Sequence, residues 1–237
     1  MIKVLELKRV NVFIGSIHVL RNISMHVDKG EIVLLVGRNG AGKTTTLKGI
    51  LNLVPVKSGS IRFKGQDITL FPPNKIAKLG IGYSPEDSKV FPDLTVEENI
   101  KITMWLSGIK SFKVLEDRIY SIFPEIRQFL RRKGLNLSGG EKKLISIARA
   151  LALDPSLLLL DEPFEGLSPI ARARLADGIR KIKSLNISML LTASNPFVAL
   201  EIADRIYVID RGEIIYEGDF ENFSKNKEFL LQTIGFI

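Results

Sequence analysis

The sequence predicts an α/β fold with a helical segment inserted into it, on three observations. Short apolar runs at residues 31–36 (EIVLLV) and 157–160 (LLLL) are continuous rather than alternating, the mark of strands buried on both faces of a parallel sheet. Helical patterns alternate with such runs at both ends of the chain, the order of βαβ units. A glycine-rich octapeptide, residues 37–44 (GRNGAGKT), separates the first buried run from the helix after it.

In chain order, Val4, Leu5 and Leu7 open a β-rich beginning, and Ile23, Met25 and Val27 alternate with Ser24 and His26 at the period of a half-buried strand. Asp28-Lys29-Gly30 is a turn into 31–36. A helix is expected over 43–53, and residues 56–63, interrupted by Lys57-Ser58-Gly59-Ser60, read as a β-hairpin. From 95 to 152 the pattern is mostly helical, with Thr95…Glu98 and Ser138…Glu141 spaced as capping boxes. The alternation then resumes: strand 157–160, helix 169–183 capped by Ser168 with Pro169 in its first turn, strand 187–191, and a short helix begun by Asn195-Pro196. Residues 206–209 and 214–216 pair around Arg211-Gly212. With no internal repeat or long linker, 1–237 reads as one domain, an α/β core of about 1–90 and 155–237 carrying a helical subdomain of about 91–154.

Composition narrows the chemistry. The 237 residues are 45% hydrophobic and 25% charged, which is globular. The absence of cysteine excludes a disulfide scaffold, thiol catalysis and Cys-ligated zinc, and two histidines argue against His-based metal sites and Ser-His-Asp catalysis. The net charge of +8 suits a phosphate-rich partner, nucleic acid or an anionic membrane face, and equally a Lys-rich soluble enzyme. No stretch approaches the roughly 20 apolar residues of a membrane span, and the first residues lack a signal-peptide core. A soluble chain in the cytoplasm is expected.

The octapeptide matches G-x-x-x-x-G-K-[ST] between a strand and a helix, where that pattern makes a phosphate cradle. Gly37, Arg38, Asn39, Gly40, Ala41 and Gly42 let successive backbone N–H groups point at phosphate oxygens, and the helix N-terminus adds partial positive charge. Lys43 is placed for the β- and γ-phosphates, Thr44 for Mg²⁺, and Thr45 continues the cradle into the helix. Asp161, directly after the run 157–160, suits the Mg²⁺ shell, and Glu162 beside it suits positioning water or acting as general base. ATP and Mg²⁺ are the expected ligands.

Leu137-Ser138-Gly139-Gly140-Glu141 resembles the signature of ABC-type ATPases, and with GRNGAGKT, LLLLDEP and EIADRIYVIDRGEIIYEGD the resemblance spans essentially the whole chain. It implies a P-loop NTPase of ABC type, with a RecA-like core sheet, an N-terminal antiparallel β subdomain and an inserted helical subdomain. It also implies that the signature meets, in trans, the γ-phosphate held by an opposite subunit. Ser138–Gly140 suits this as a second anion site, while also serving as a capping box.

The stretch SPEDSKVFPDLTVEEN is similar to that of ATPases serving branched-chain or hydrophobic amino-acid importers, as are FPEIRQFLRRKGLNLSGGE and EPFEGLSP. In this resemblance Glu86 stands where most ABC ATPases carry a glutamine linking the Mg²⁺ site to the membrane subunit. Two positions depart from the pattern. Ser194 aligns with the usual switch histidine, and Ile14, with Phe13 adjacent, stands where an aromatic stacks on adenine; either of the two could contact the base. Phe91, Trp105 and Phe112 are candidates for a groove receiving a helix of the membrane subunit, with a core role the alternative for Trp105 and Phe112.

The function so implied is an ATP-hydrolysing subunit at the cytoplasmic face of the cell membrane, powering an ABC importer for branched-chain or other hydrophobic amino acids. The implied partners are membrane permease subunits, a second ATP-binding subunit in a homo- or heterodimer and, indirectly, an extracytoplasmic solute-binding protein; nucleic acid is not expected. The alternatives are the ATPase of another transporter and a poorly hydrolysing nucleotide-gated clamp.

Overall fold

The computed structural model describes residues 2–107 and 112–225, with Leu106, Ser107 and Phe112 described by backbone alone. Strands β1 (Lys3–Ile14) and β2 (Ile17–Asp28) precede β3 (Ile32–Val36) and helix α1 (Lys43–Ile50). Then come β4 (Val56–Phe63), β5 (Gln66–Asp67), α2 (Pro73–Lys78) and β6 (Ile81–Ser84). The helical stretch is α3 (Val96–Ser107), α4 (Phe112–Ile122), 3₁₀ turns at Pro124–Phe129 and Gly134–Asn136, and α5 (Gly139–Leu151). The chain continues through β7 (Leu157–Leu160), α6 (Pro169–Ser184), β8 (Ser188–Ala193), α7 (Phe197–Leu200), β9 (Arg205–Asp210), β10 (Glu213–Gly218) and α8 (Phe220–Lys225).

An antiparallel sheet of order β2-β1-β4-β5 stands beside a mixed sheet of order β10-β9-β3-β8-β7-β6. In the latter only the edge pair β9–β10 is antiparallel. The expected α/β class therefore holds, and the continuous apolar runs have a direct cause. Leu34, Val36, Leu158, Leu160 and Leu191 enter one core with the helical stretch. Their neighbours Val33, Leu35, Leu157, Leu159 and Leu190 enter a second core with the antiparallel sheet and α1. A strand covered on both faces favours apolar side chains at successive positions.

Register brings three strand ends together. Val36 pairs with Ala193 and Leu160 with Leu191, so the loops after β3, β7 and β8 leave the sheet side by side at its carboxyl edge. That edge is where open α/β sheets present ligand crevices.

Two local expectations are corrected. Residues 56–63 form one continuous strand, β4, paired along β1, and the turn lies later, between β4 and β5. Lys57-Ser58-Gly59-Ser60 is a bulge: the register shifts between Asn11↔Ser58 and Lys8↔Ser60. Gly59 has φ +93° there, and a Cβ would lie 2.3 Å from the Arg9 carbonyl oxygen, so the position needs glycine without making a turn. Helix α1 ends at Ile50 rather than 53, where Asn52 adopts φ +51°. Both capping boxes form: Thr95 with Glu98, and Ser138 with Glu141. The Ser168 hydroxyl accepts from the Ala171 N–H at the head of α6.

Candidate functional site

Helix α1 begins with an uncapped N-terminus. Its N-cap, Gly42, has no side chain to satisfy the first N–H groups and no acid stands in the first turn, so those donors and the positive end of the helix face outward. Gly42 sits at φ +116°, and a Cβ there would meet Leu20 Cδ2 at 2.7 Å and Ile209 Cδ1 at 3.2 Å. The cradle is thus packed against β2 and β9 so closely that only glycine fits. Asn39, Gly40, Gly42, Lys43, Thr44, Thr45, Glu86, Glu162 and Glu165 line one cavity of about 250 Å³.

Lys43 is buried at this point, 5% exposed. Its Nζ donates to the carbonyls of Gly37 (2.8 Å) and Arg38 (3.1 Å) and to Ser194 Oγ (3.0 Å), and lies 3.1 Å from Glu162 Oε1. Ala41 closes the loop by donating its N–H to the Arg38 carbonyl. A cation held only by carbonyls, a hydroxyl and one carboxylate can exchange these partners for phosphate oxygens.

The acids are fixed by the strands beside the loop. Asp161, 1% exposed, accepts from Thr44 Oγ1 at 3.1 Å and from Thr192 Oγ1 at 2.7 Å, both on Oδ1, and from the Tyr83 hydroxyl at 3.4 Å on Oδ2. Burial, and then the Asp161 charge, hold the Tyr83 hydroxyl well above its usual range, so it stays a donor. Glu162 adopts φ +45°, a strained conformation for a side-chain-bearing residue, and its N–H is anchored by Thr192 Oγ1 at 2.9 Å. Its carboxylate accepts from the Ser194 N–H at 2.8 Å and from the Ser194 hydroxyl. Ser194 Oγ also lies 2.6 Å from Asn39 Oδ1. The hydroxyl has one proton for the two acceptors, so the bond to Glu162 and the bond to Asn39 are alternatives.

The donor set suits a hard divalent cation. Thr44 Oγ1 and Asp161 Oδ1 stand 3.1 Å apart, matching the roughly 3.0 Å between two oxygens bound side by side on an octahedral Mg²⁺ at about 2.1 Å. Glu86 faces the same cavity; burial, then Glu165, Asp161 and Glu162, push its carboxyl above the usual range. A cation would relieve that crowding.

The other expected residues lie elsewhere. Phe13 pairs with His18 across the β1–β2 hairpin and stacks on its ring at 4.1 Å, on the face that carries Asn11. Ile14, 51% exposed, follows at the hairpin tip and so points to the opposite face. Gly140, Ser138 and Glu141 line a separate cavity of about 420 Å³ between α5 and α6, with Leu137 buried and Gly139 opening α5 beside them. The signature and the glycine-rich loop of one chain therefore line two different cavities. Trp105 is 60% exposed and Phe91 43%, which removes the core reading for Trp105, while the side chain of Phe112 lies outside the described residues.

Sequence reasoning missed Thr192, Tyr83 and Glu165. Thr192 carries a weak signal, a polar residue near the end of an apolar strand; the other two have none, because their places depend on how β6 pairs with β7 and on the loop after β7. Among the described residues no helix is long and apolar enough to cross a membrane.

Comparison with known proteins agrees with this geometry. A family model described as ABC transporter matches residues 20–165. The chain is 36% identical to the high-affinity branched-chain amino acid transport ATP-binding protein BraG of Pseudomonas aeruginosa, over 89% of this chain and 91% of that protein. It is 36% identical to the probable branched-chain amino acid transport ATP-binding protein LivF of Archaeoglobus fulgidus, over 97% and 98%. The lipopolysaccharide export system ATP-binding protein LptB of Escherichia coli is also 36% identical, over 84% of each chain. Among solved structures, the ADP conformation of an ATP-binding cassette of an ABC transporter superposes with a TM-score of 0.86 at 25% identity, covering 99% of this chain and 100% of that one.

Proposed function

Since this chain belongs to the ABC transporter family and is an ATPase cassette of it, we propose that it powers a membrane importer for branched-chain or other hydrophobic amino acids. The observation that carries the ATP site is the meeting of Lys43, Thr44, Asp161, Glu162 and Ser194 where β3, β7 and β8 end. In this reading the backbone of residues 37–42 and the Lys43 ammonium grip the β- and γ-phosphates, with Thr45 at the head of α1. Thr44, Asp161 and Glu86 would hold Mg²⁺, which when bound neutralises charge on the phosphates. Glu162 orients the attacking water and accepts its proton, and Ser194 fixes the carboxylate for that task. Ile14, on the opposite face of the hairpin from Phe13, gives the adenine an apolar contact.

The partners follow from what one chain lacks. The turn Leu137–Glu141 lies in a different cavity from the phosphate loop, so it serves the nucleotide of a second ATP-binding subunit, identical or paralogous. Exposed Phe91 and Trp105, beside the Glu86 loop and on α3, form the groove for a helix of a permease subunit, placing the chain at the cytoplasmic face of the membrane. The division into an α/β core (about 1–90 and 155–237) and a helical subdomain (about 91–154) belongs to the same reading.

The substrate rests on the two amino-acid transport relatives, and a lipopolysaccharide export ATPase is equally similar. Co-expression with candidate permease subunits and addition of a solute-binding protein, followed by leucine uptake in proteoliposomes with ATP inside or outside, decides it. ATP-dependent uptake supports the reading; an assembled, ATP-hydrolysing complex that moves no hydrophobic amino acid overturns it.

A further inference from the structure

Lys143 is a buried lysine outside the glycine-rich loop. It lies in the second turn of α5 and is 5% exposed, and burying an ammonium costs several kcal/mol unless something compensates. Its Nζ donates a 2.7 Å hydrogen bond to the main-chain carbonyl of Glu86. Burial lowers the Lys143 pKa, while Glu86, Glu165, Asp161 and Glu162 act in the other direction. These four carboxylates belong to the cavity side just described.

The bond is one of three along the same helix. Three residues further on, Ser146 accepts from the Ser84 hydroxyl at 2.8 Å, both groups buried at the end of β6. Three residues beyond that, Arg149 donates to the Lys89 carbonyl at 2.7 Å and covers the Phe91 ring at 4.6 Å. Positions 143, 146 and 149 thus each hold part of the segment 84–91 against α5. The head of α5 is pinned as well, by the Ser138–Glu141 box and the Arg132–Glu141 ion pair at 2.8 Å. Lys143 therefore lies between the loop that presents Glu86 and the turn that presents Ser138, and it lines the cavity around Ser138.

We propose that Lys143 is a positioning residue for ATP hydrolysis: its ammonium holds the Glu86 loop on α5 through the Glu86 carbonyl, so that the loop and the Ser138 turn move as one body. The proposal rests on the reading of Glu86 and Ser138 as facing nucleotide, and it concerns residues to which that reading gives no role. Lys143 touches neither phosphate nor metal; it acts through the loop.

The deciding comparison is Lys143→Met against Lys143→Gln. Both lose the charge and differ in whether a donor remains for the Glu86 carbonyl. In nucleotide-free protein, amide deuterium uptake over residues 84–92 is expected to rise in Lys143→Met and to stay near wild type in Lys143→Gln. With Mg-ATP, Lys143→Met is expected to lose roughly tenfold in kcat, the size of one hydrogen bond to a charged group, and Lys143→Gln to recover most of it. ATP affinity measured in EDTA should change less than about twofold in either, because the cradle is untouched. Wild-type uptake in Lys143→Met, or equal uptake in the two variants, overturns the proposal. Should only Lys143→Gln fold, its uptake decides alone: wild-type protection supports the tie, and raised uptake overturns it. A wild-type chain that binds no ATP would sink the nucleotide reading instead, and the exchange data would still judge the tie.

Discussion

Lys43 donates a hydrogen bond to Ser194 Oγ at 3.0 Å, joining the phosphate loop to the end of β8 across 151 positions of sequence. Serine at this position is short, yet it reaches both the lysine and Glu162, because β3 and β8 are neighbours whose last residues, Val36 and Ala193, are in register. Removing the hydroxyl takes one charge-assisted contact from each partner. Ser194→Ala is therefore expected to lower kcat roughly tenfold or more, with ATP affinity changing less. Single-turnover phosphate release at wild-type rate in that variant would remove Ser194 from the reaction.

Lys43→Ala deletes the cation around which the cradle is folded. Hydrogen bonds to charged groups contribute about 1.5–3 kcal/mol each, so ATP affinity should fall at least tenfold and turnover further. Equilibrium dialysis with Mg-ATP checks this, and unchanged binding would move the nucleotide elsewhere.

Glu162→Gln keeps an acceptor for the Ser194 N–H and loses the base. Nucleotide should then bind without being consumed, holding two cassettes together. Sedimentation in Mg-ATP is expected to show a dimer that disappears with EDTA; a monomer throughout would contradict the shared-nucleotide arrangement.

Thr192 is fully buried, and its single hydroxyl accepts from the Glu162 N–H and donates to Asp161 Oδ1. Thr192→Val leaves an N–H and a carboxylate oxygen short of partners and should destabilise by about 1–3 kcal/mol for each group left unsatisfied. Thr192→Ser keeps the hydroxyl and should cost less. Urea unfolding of the pair measures the difference, and equal midpoints would show the hydroxyl to be dispensable.

Glu141 gives a pH dependence with a definite sign. Burial raises its pKa, but the Ser138 N–H and hydroxyl and the Arg132 guanidinium outweigh it and hold the carboxyl below the usual glutamate range. A carboxyl depressed in the folded state contributes stability that is present above its unfolded value, near pH 4.5, and lost as pH falls through the lower folded value. Glu141→Gln should therefore lower Tm near neutrality, where the carboxylate's contribution is lost, and converge with wild type as pH falls below about 4.5, flattening the acid limb. A parallel curve would assign the acid limb to other carboxylates.

Much of the fold was legible because its causes are local. Short continuous apolar runs bounded by turn residues fit strands covered on both faces, and β3 and β7 are such strands. Ser138 and Ser168 cap helices within three residues of themselves. Gly59 misled for an equally physical reason. Glycine marks any positive φ, and a bulge inside β4 uses one as a turn does, the difference lying in β1 on the other side of the bond. The glycine-rich loop, Asp161 and Glu162 were readable as candidates because phosphate binding imposes residue types at short spacing.

Sequence by itself determined the candidates for the chemistry: a lysine after glycines, a carboxylate pair after a buried strand, a serine–glycine turn heading a helix. Tertiary structure alone decided who holds them. Thr192 steadies Asp161 and the Glu162 backbone, Ser194 ties Lys43 to Glu162, and Lys143 fastens the Glu86 loop to α5. Such partners come from strands and helices far apart along the chain. A hydrogen bond depends on distance and direction in space, which spacing in sequence does not encode until the sheet has set its register.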